Sequence, residues 1–133
     1  MAAEKRPTVL IVDDNDMMRA LLRGILRQEA YLVVGEARDG ETALAQTERL
    51  KPDVVCLDIV MPNSDGLETL RAIKAQWADI VVLMITANSD RDTVEAAITA
   101  GASGYVVKPF NAQRVLATLK RAVAHLGKPA RST

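Results

Sequence analysis

The run Val9-Leu10-Ile11-Val12 stops abruptly at Asp13-Asp14. Four consecutive apolar residues with no polar alternate, three of them β-branched, describe a strand covered on both faces. Four further runs follow along the chain: Tyr31 to Val34, Val54 to Leu57, Ile80 to Ile85 and Tyr105 to Val107. Between them the apolar spacing changes to a helical period. Met18, Leu21, Leu22, Ile25 and Leu26 form the first stripe, Ala43, Leu44, Thr47 and Leu50 the second, and Leu67, Leu70, Ile73 and Trp77 the third. Val94, Ala97 and Ile98 form the fourth, and Val115, Leu119, Ala122, Val123 and Leu126 the fifth. The punctuation agrees, with Asn15, Asp39, Ser89 and Asn111 as expected N-caps, Pro52 ahead of the third strand and Gly101 closing the fourth helix. Five strands alternating with five helices through right-handed crossovers make an α/β, doubly wound, five-stranded parallel sheet. Ligands of such folds sit beyond the carboxyl ends of the strands.

Composition sets the outer bounds. With 133 residues there is room for one domain of ordinary size. Seventeen basic and seventeen acidic side chains cancel, which excludes a bulk polyanion binder: no direct DNA binding and no membrane association are expected. The cancellation hides a split. Residues 1–66 carry twelve acids and eight bases, residues 67–133 five acids and nine bases, and no acid follows Glu95. A single cysteine, Cys56, excludes a disulfide framework and a thiolate metal site, and its place inside a strand reads as a small buried hydrophobe. With no apolar leader and no run long enough to span a bilayer, a cytoplasmic protein is expected.

The strand ends carry the chemistry. The first run ends in Asp13-Asp14, the third in Asp58, the fourth in Thr86 and the fifth in Lys108-Pro109. Two carboxylates about 4 Å apart repel by ~4 kcal/mol at an effective dielectric near 20, so three in one crevice need an offsetting charge. A divalent cation with hard oxygen ligands supplies it, and carboxylates completed by water and phosphate oxygens suit Mg²⁺. Lys108 adds a second, movable positive charge. Together these groups can hold a phosphoryl group, with Thr86 as hydroxyl donor and Asp58 as nucleophile.

The ordered set Asp13-Asp14, Cys56-Leu57-Asp58, Met61-Pro62, Asp65-Gly66, Thr86-Ala87, Gly101-Ala102 and Lys108-Pro109-Phe110 resembles the receiver domain of two-component response regulators, of the single-domain chemotaxis type. The resemblance runs from about Val9 to Leu126 and implies a flavodoxin-like (βα)5 fold with strand order 2-1-3-4-5. The chain divides into a lead-in (1–7), a receiver domain (8–126) and a tail (127–133) expected to be disordered; because it ends soon after Leu126 no DNA-binding or enzymatic output domain is expected, the alternative being that the tail is the stub of a linker in a longer protein. The resemblance implies phosphoryl transfer to Asp58 from a histidine kinase or histidine phosphotransfer protein, in a two-component or phosphorelay pathway. Asp14 would bind Mg²⁺ directly, Asp13 through water, Asp58 by its carboxylate and Val60 by its backbone carbonyl. Lys108 would pair with the phosphoryl oxygens, Thr86 and Tyr105 would be the switch residues, and the Lys108–Pro109 peptide would be cis. A downstream protein would read the surface around the fourth helix, fifth strand and fifth helix. The chain would be no enzyme in the ordinary sense, catalysing only its own phosphorylation and dephosphorylation.

Each residue also has a plainer reading. Asp58 alone is a turn residue, Asp13 and Asp14 favour a helix N-terminus, and Tyr105 is a strand aromatic. His125, with no acidic neighbour of phosphotransfer type, is no phosphodonor, while Trp77 is a packing residue and Met17 and Met18 are ordinary helix residues. Ser64 stands where the family often has a bulkier apolar residue, so looser packing is expected beneath that loop. Val60 and Asn88 occupy the positions that flank the hydrolytic water in this family, and substituting either is expected to change the decay of the phosphoform. Three other classes remain open: a receiver-like module that signals by binding alone, a flavin-binding electron carrier, and an aspartyl-phosphate phosphatase. The intact Asp58, Thr86 and Lys108 set, the acidic first loop and the position of Asp58 after the third strand oppose them in turn.

Overall fold

The computed structural model describes residues 6–125. Its order is β1 (Thr8–Val12), α1 (Asp16–Arg27), β2 (Leu32–Ala37), α2 (Gly40–Leu50), β3 (Val54–Leu57), β4 (Val60–Met61) and β5 (Ser64–Asp65). Then come α3 (Gly66–Gln76), β6 (Val81–Thr86), α4 (Arg91–Thr99), β7 (Gly104–Val107), α5 (Ala112–Ala122) and a 3-10 turn, Val123–His125. Five parallel strands form one sheet in the order β2-β1-β3-β6-β7, and β4 and β5 make a separate antiparallel pair. Counting the sheet strands alone, this is the expected 2-1-3-4-5 order. The expected tail (127–133) and most of the lead-in (1–7) lie outside the described residues.

Alternate residues of each strand enter opposite faces of the sheet. Val9, Ile11, Val54 and Cys56 pack with Leu22, Leu26, Val115 and Leu119, so α1 and α5 cover one face. Leu10, Val12, Val55 and Leu57 pack with Ala43, Leu70, Ile73 and Ala97, so α2, α3 and α4 cover the other. Burial pushes the Cys56 thiol up to about 12, in keeping with its reading as a small hydrophobe.

Three local features differ from expectation. β2 runs through Gly35 and Glu36 to Ala37, beyond the apolar run Tyr31 to Val34, because an edge strand tolerates a half-exposed polar residue while its ladder to β1 continues. A Cβ on Gly35 would lie 2.7 Å from Leu50 Cδ1, so a larger residue there would push the end of that side chain aside. The α4 N-cap is Asp90, not Ser89: its carboxylate accepts from the Thr93 amide, and a carboxylate suits the positive helix end better than a hydroxyl. The β4–β5 hairpin is an addition, turned by Pro62 and by Asn63 at φ 55.

The other caps fall where the punctuation puts them. Asn15, Asp39 and Asn111 accept from the amides of Met18, Thr42 and Arg114. Gly101, at φ 108, follows the α4 C-cap Ala100; its amide donates to Ile98 and that of Ala102 to Ala97, which closes the helix. Beneath the hairpin the expected looseness is replaced by a polar tie. Ser64 Oγ accepts from the Gly40 amide at 2.8 Å, pinning the start of α2, and Met61 is buried.

Candidate functional site

The ladder at the centre of the sheet continues one step past β1 and β3: the Asp13 amide donates to the Ala37 carbonyl and the Asp58 amide to the Val12 carbonyl. Both aspartates are thereby held at the carboxyl edge of the sheet, and both are buried. Half-buried Asp14 follows, and one carboxylate oxygen from each of the three lies within 4.8 Å of the others. Asp13 Oδ1 accepts from the Asn15 amide, while Asp58 Oδ1 accepts from Ile59 at 2.6 Å and from Val60 at 3.4 Å. The loop beneath Asp58 is equally constrained. A Cβ on Gly66 would lie 2.5 Å from Ile59 Cα and would overlap the Asp58 carbonyl, both backbone atoms that no rotamer change can move. Gly66→Ala is therefore expected to destabilise the fold by about 1–3 kcal/mol, measured by urea unfolding.

Lys108 reaches this cluster from the loop after β7. Its Nζ donates to Asp13 Oδ2 at 2.8 Å and to Asp58 Oδ2 at 3.0 Å. Burial alone would lower the ammonium's pKa, but the hydrogen bonds and charges of the two aspartates outweigh it, and the net shift is upward. The stabilisation that goes with the proton is present below the unfolded lysine value near ~10.4 and is lost only as pH rises through the higher folded value. Lys108 is thus a constant cation at neutral pH. The Lys108–Pro109 peptide is cis, as expected.

Thr86, fully buried at the end of β6, brings a hydroxyl to the same edge. Its Oγ1 accepts from the Asn88 amide at 3.3 Å, and the Asn88 carbonyl accepts from the Tyr105 hydroxyl at 2.6 Å. Thr86 and Tyr105 are therefore joined through one residue of the β6–α4 loop. Burial, followed by the charges of Asp58 and Asp90, raises the Tyr105 phenol above its ordinary value, so it remains a donor at neutral pH. Val60 lies on β4 beside Asp58 and is 66% exposed.

The donor set fits a hard divalent cation. Three carboxylates face one ammonium, and among the described residues the Asp14 carboxylate has neither hydrogen-bond nor ion-pair partner. Sequence reasoning missed the support behind them. Arg19 donates through Nη1 to the Asp13 carbonyl at 2.6 Å and through Nε to Glu36 at 3.1 Å, and it also pairs with Asp16. Glu36 in turn pairs with Arg23. Arg19→Met is expected to weaken Mg²⁺ binding about tenfold by loosening the Asp13-Asp14 backbone, measured by calorimetric titration. Unchanged affinity would show that the loop holds itself.

A doubly wound sheet carrying an acidic triad, a lysine and a threonine at its carboxyl edge defines a receiver of two-component signalling. The chain belongs to the response regulator receiver domain family, whose model matches residues 9–120. It is 42% identical over 114 residues to the chemotaxis protein CheY of Listeria monocytogenes, covering 86% of this chain and 96% of that one. It is 44% identical over 117 residues to the transcriptional regulatory protein PdtaR of Mycobacterium tuberculosis, covering 87% of this chain and 56% of that longer one. Among solved structures it resembles the CheX–CheY–BeF3–Mg complex of Borrelia burgdorferi, with TM-score 0.83, 32% identity and coverage of 85% and 86% of the two chains. Among the described residues no helix is long and apolar enough to cross a membrane.

Proposed function

We propose that Asp58 accepts a phosphoryl group from a phosphohistidine of a histidine kinase or histidine phosphotransfer protein, and that the acyl phosphate changes binding of a downstream protein at the α4, β7 and α5 face. The observation that carries this reading is the Lys108 ammonium bridging Asp13 and Asp58 beside an Asp14 carboxylate that has no partner among the described residues. Mg²⁺ would be held by Asp14, by Asp13 through water, by the Asp58 carboxylate and by the Val60 backbone carbonyl. When bound it supplies positive charge to the phosphoryl oxygens.

An Asp58 carboxylate oxygen attacks phosphorus as the bond from phosphorus to the imidazole nitrogen breaks, the electron pair of that bond staying with the nitrogen. Lys108 exchanges carboxylate oxygens for phosphoryl oxygens and stabilises the charge that spreads over them in the transition state. Thr86 turns its hydroxyl to donate to the phosphoryl group. The Asn88 amide then loses its acceptor, and through the Asn88 carbonyl the change reaches Tyr105 on β7. Water later attacks phosphorus and restores the Asp58 carboxylate, so the protein turns over only its own phosphoryl group. The setting is a cytoplasmic two-component or phosphorelay pathway.

Intact mass measurement after incubation with acetyl phosphate tests the proposal. One added phosphoryl group is expected with Mg²⁺ and none with excess chelator. No addition in either case, or equal addition in both, would sink it.

A further inference from the structure

Val60 stands on the β4–β5 hairpin, so the place of its backbone depends on what holds that hairpin. At the base the Gly66 amide donates to the Ile59 carbonyl at 2.8 Å. Between the strands Val60 opposes Asp65 and Met61 opposes Ser64, so the side chains of Met61 and Ser64 share one face and those of Val60 and Asp65 the other. Burial agrees: Val60 and Asp65 are exposed, Met61 is sunk in the core and Ser64 is half-buried. The inward face is thus anchored by one apolar and one polar side chain. The polar one is the Ser64 hydroxyl, which accepts from the amide of Gly40, the first residue of α2. Gly40 is buried, and a Cβ there would lie 2.6 Å from Thr69 Oγ1 and 3.3 Å from Ser64 Oγ, so the bare backbone lets α2 come within hydrogen-bond reach of the hairpin.

This bond closes a ring around the carboxylates. The Asp13 amide donates to the Ala37 carbonyl, the chain runs through Arg38 and Asp39 to Gly40, and Gly40 donates to Ser64. From Ser64 the hairpin leads back to Val60, whose amide donates to Asp58 Oδ1 at 3.4 Å, and the Asp58 amide donates to Val12, next to Asp13. Two links of the ring depend on a side chain. One is Asp58 Oδ1, which belongs to the acidic cluster; the other is Ser64 Oγ, which lies outside it.

We infer that Ser64 is a positioning residue for the metal site: its bond to Gly40 fixes the hairpin so that the Val60 carbonyl is in place before Mg²⁺ arrives. The inference rests on reading Val60 as a backbone ligand, and it names the group that holds that ligand. Mg²⁺ demands near-ideal ligand placement at short distances, whereas Ca²⁺ accepts a looser and more variable set. A hairpin released from α2 therefore costs Mg²⁺ affinity more than Ca²⁺ affinity, so the tie supplies selectivity as well as strength.

The test is a titration of the full chain with MgCl2 and, separately, with CaCl2, read by amide shifts. Ser64→Ala is expected to weaken Mg²⁺ binding about fivefold and Ca²⁺ binding less than about twofold. Ser64→Thr keeps a hydroxyl on the same carbon and should stay within about twofold of the parent for both ions. In the metal-free Ser64→Ala protein, hydrogen exchange should quicken at the amides of Gly40, Val60 and Met61 and keep the parent rate in β1 and β3, which a general loss of stability would also speed. Unchanged Mg²⁺ affinity in Ser64→Ala, equal losses for the two ions, a Ser64→Thr no better than Ser64→Ala, or exchange quickened throughout the sheet would each overturn the inference. A parent protein that takes no Mg²⁺ overturns the metal reading and this inference together, whereas a parent that binds and a Ser64→Ala that binds equally well overturn this inference alone.

Discussion

Lys108→Met is expected to destabilise the metal-free protein by about 3 kcal/mol, measured by urea unfolding in the presence of chelator. The Lys108 side chain is 16% exposed and its partners Asp13 and Asp58 are 1% and 7% exposed, so removing the ammonium leaves two buried carboxylates facing each other. Breaking one side of a buried pair typically costs ~3–5 kcal/mol, and the partial exposure of Lys108 argues for the low end. Mg²⁺ should recover part of the loss, because a cation bound only by the folded state stabilises it by mass action. A variant as stable as the parent in chelator would show that the carboxylates do not depend on Lys108. Labelling by acetyl phosphate should fall steeply in the same variant, since the group that meets the phosphoryl oxygens is gone.

Asp58→Asn has the opposite sign on stability and the larger effect on chemistry. The carboxamide cannot form the acyl phosphate, so labelling should fall to background. The same change removes one carboxylate from an over-acidic cluster and keeps an oxygen for the Ile59 amide; the position of Oδ2 becomes an NH2 group, and Lys108 keeps its bond to Asp13 Oδ2. Relief of repulsion then raises metal-free stability by about 1 kcal/mol, while the stabilisation gained on adding Mg²⁺ shrinks. Retained labelling would place the acceptor elsewhere. Lower stability in chelator would show that Asp58 is better paired than its neighbours suggest.

The features most legible in the sequence are those fixed by local rules. β1, β3, β6 and β7 are short apolar runs closed by Asp13, Asp58, Thr86 and Lys108, and a parallel sheet brings those ends together whatever the helices between them contain. β2 was less legible because an edge strand admits Gly35 and Glu36, which interrupt the apolar pattern without interrupting the ladder. The hairpin around Pro62 and Asn63 escaped notice although Pro followed by a residue able to adopt positive φ is its signal. Arg19 was invisible for a different reason. Its partners Glu36 and the Asp13 carbonyl are set by how α1 lies against β2, and an arginine at a helix surface position reads as solvated until that packing is known. Ser64 shows the same limit: its hydroxyl replaces apolar contact with a bond to Gly40, twenty-four residues away.

The charge split between the two halves of the chain acquires places in the fold. Three acids of the first half are gathered at the carboxyl edge of the sheet, where Lys108 pairs with two of them and the proposed Mg²⁺ would offset the rest. Two cations of the acid-free stretch after Glu95, Arg114 and Arg121, stand on α5 beside β7, an edge strand of the sheet. The most direct test of the central claim is reductive trapping: protein treated with acetyl phosphate and Mg²⁺ is reduced with borohydride, digested and mapped by tandem mass spectrometry. The reduced aspartyl phosphate should appear at Asp58 and at no other carboxylate. Trapping at Asp13 or Asp14, or a phosphoryl group on a hydroxyl or histidine instead, would contradict the assignment of Asp58 as the acceptor.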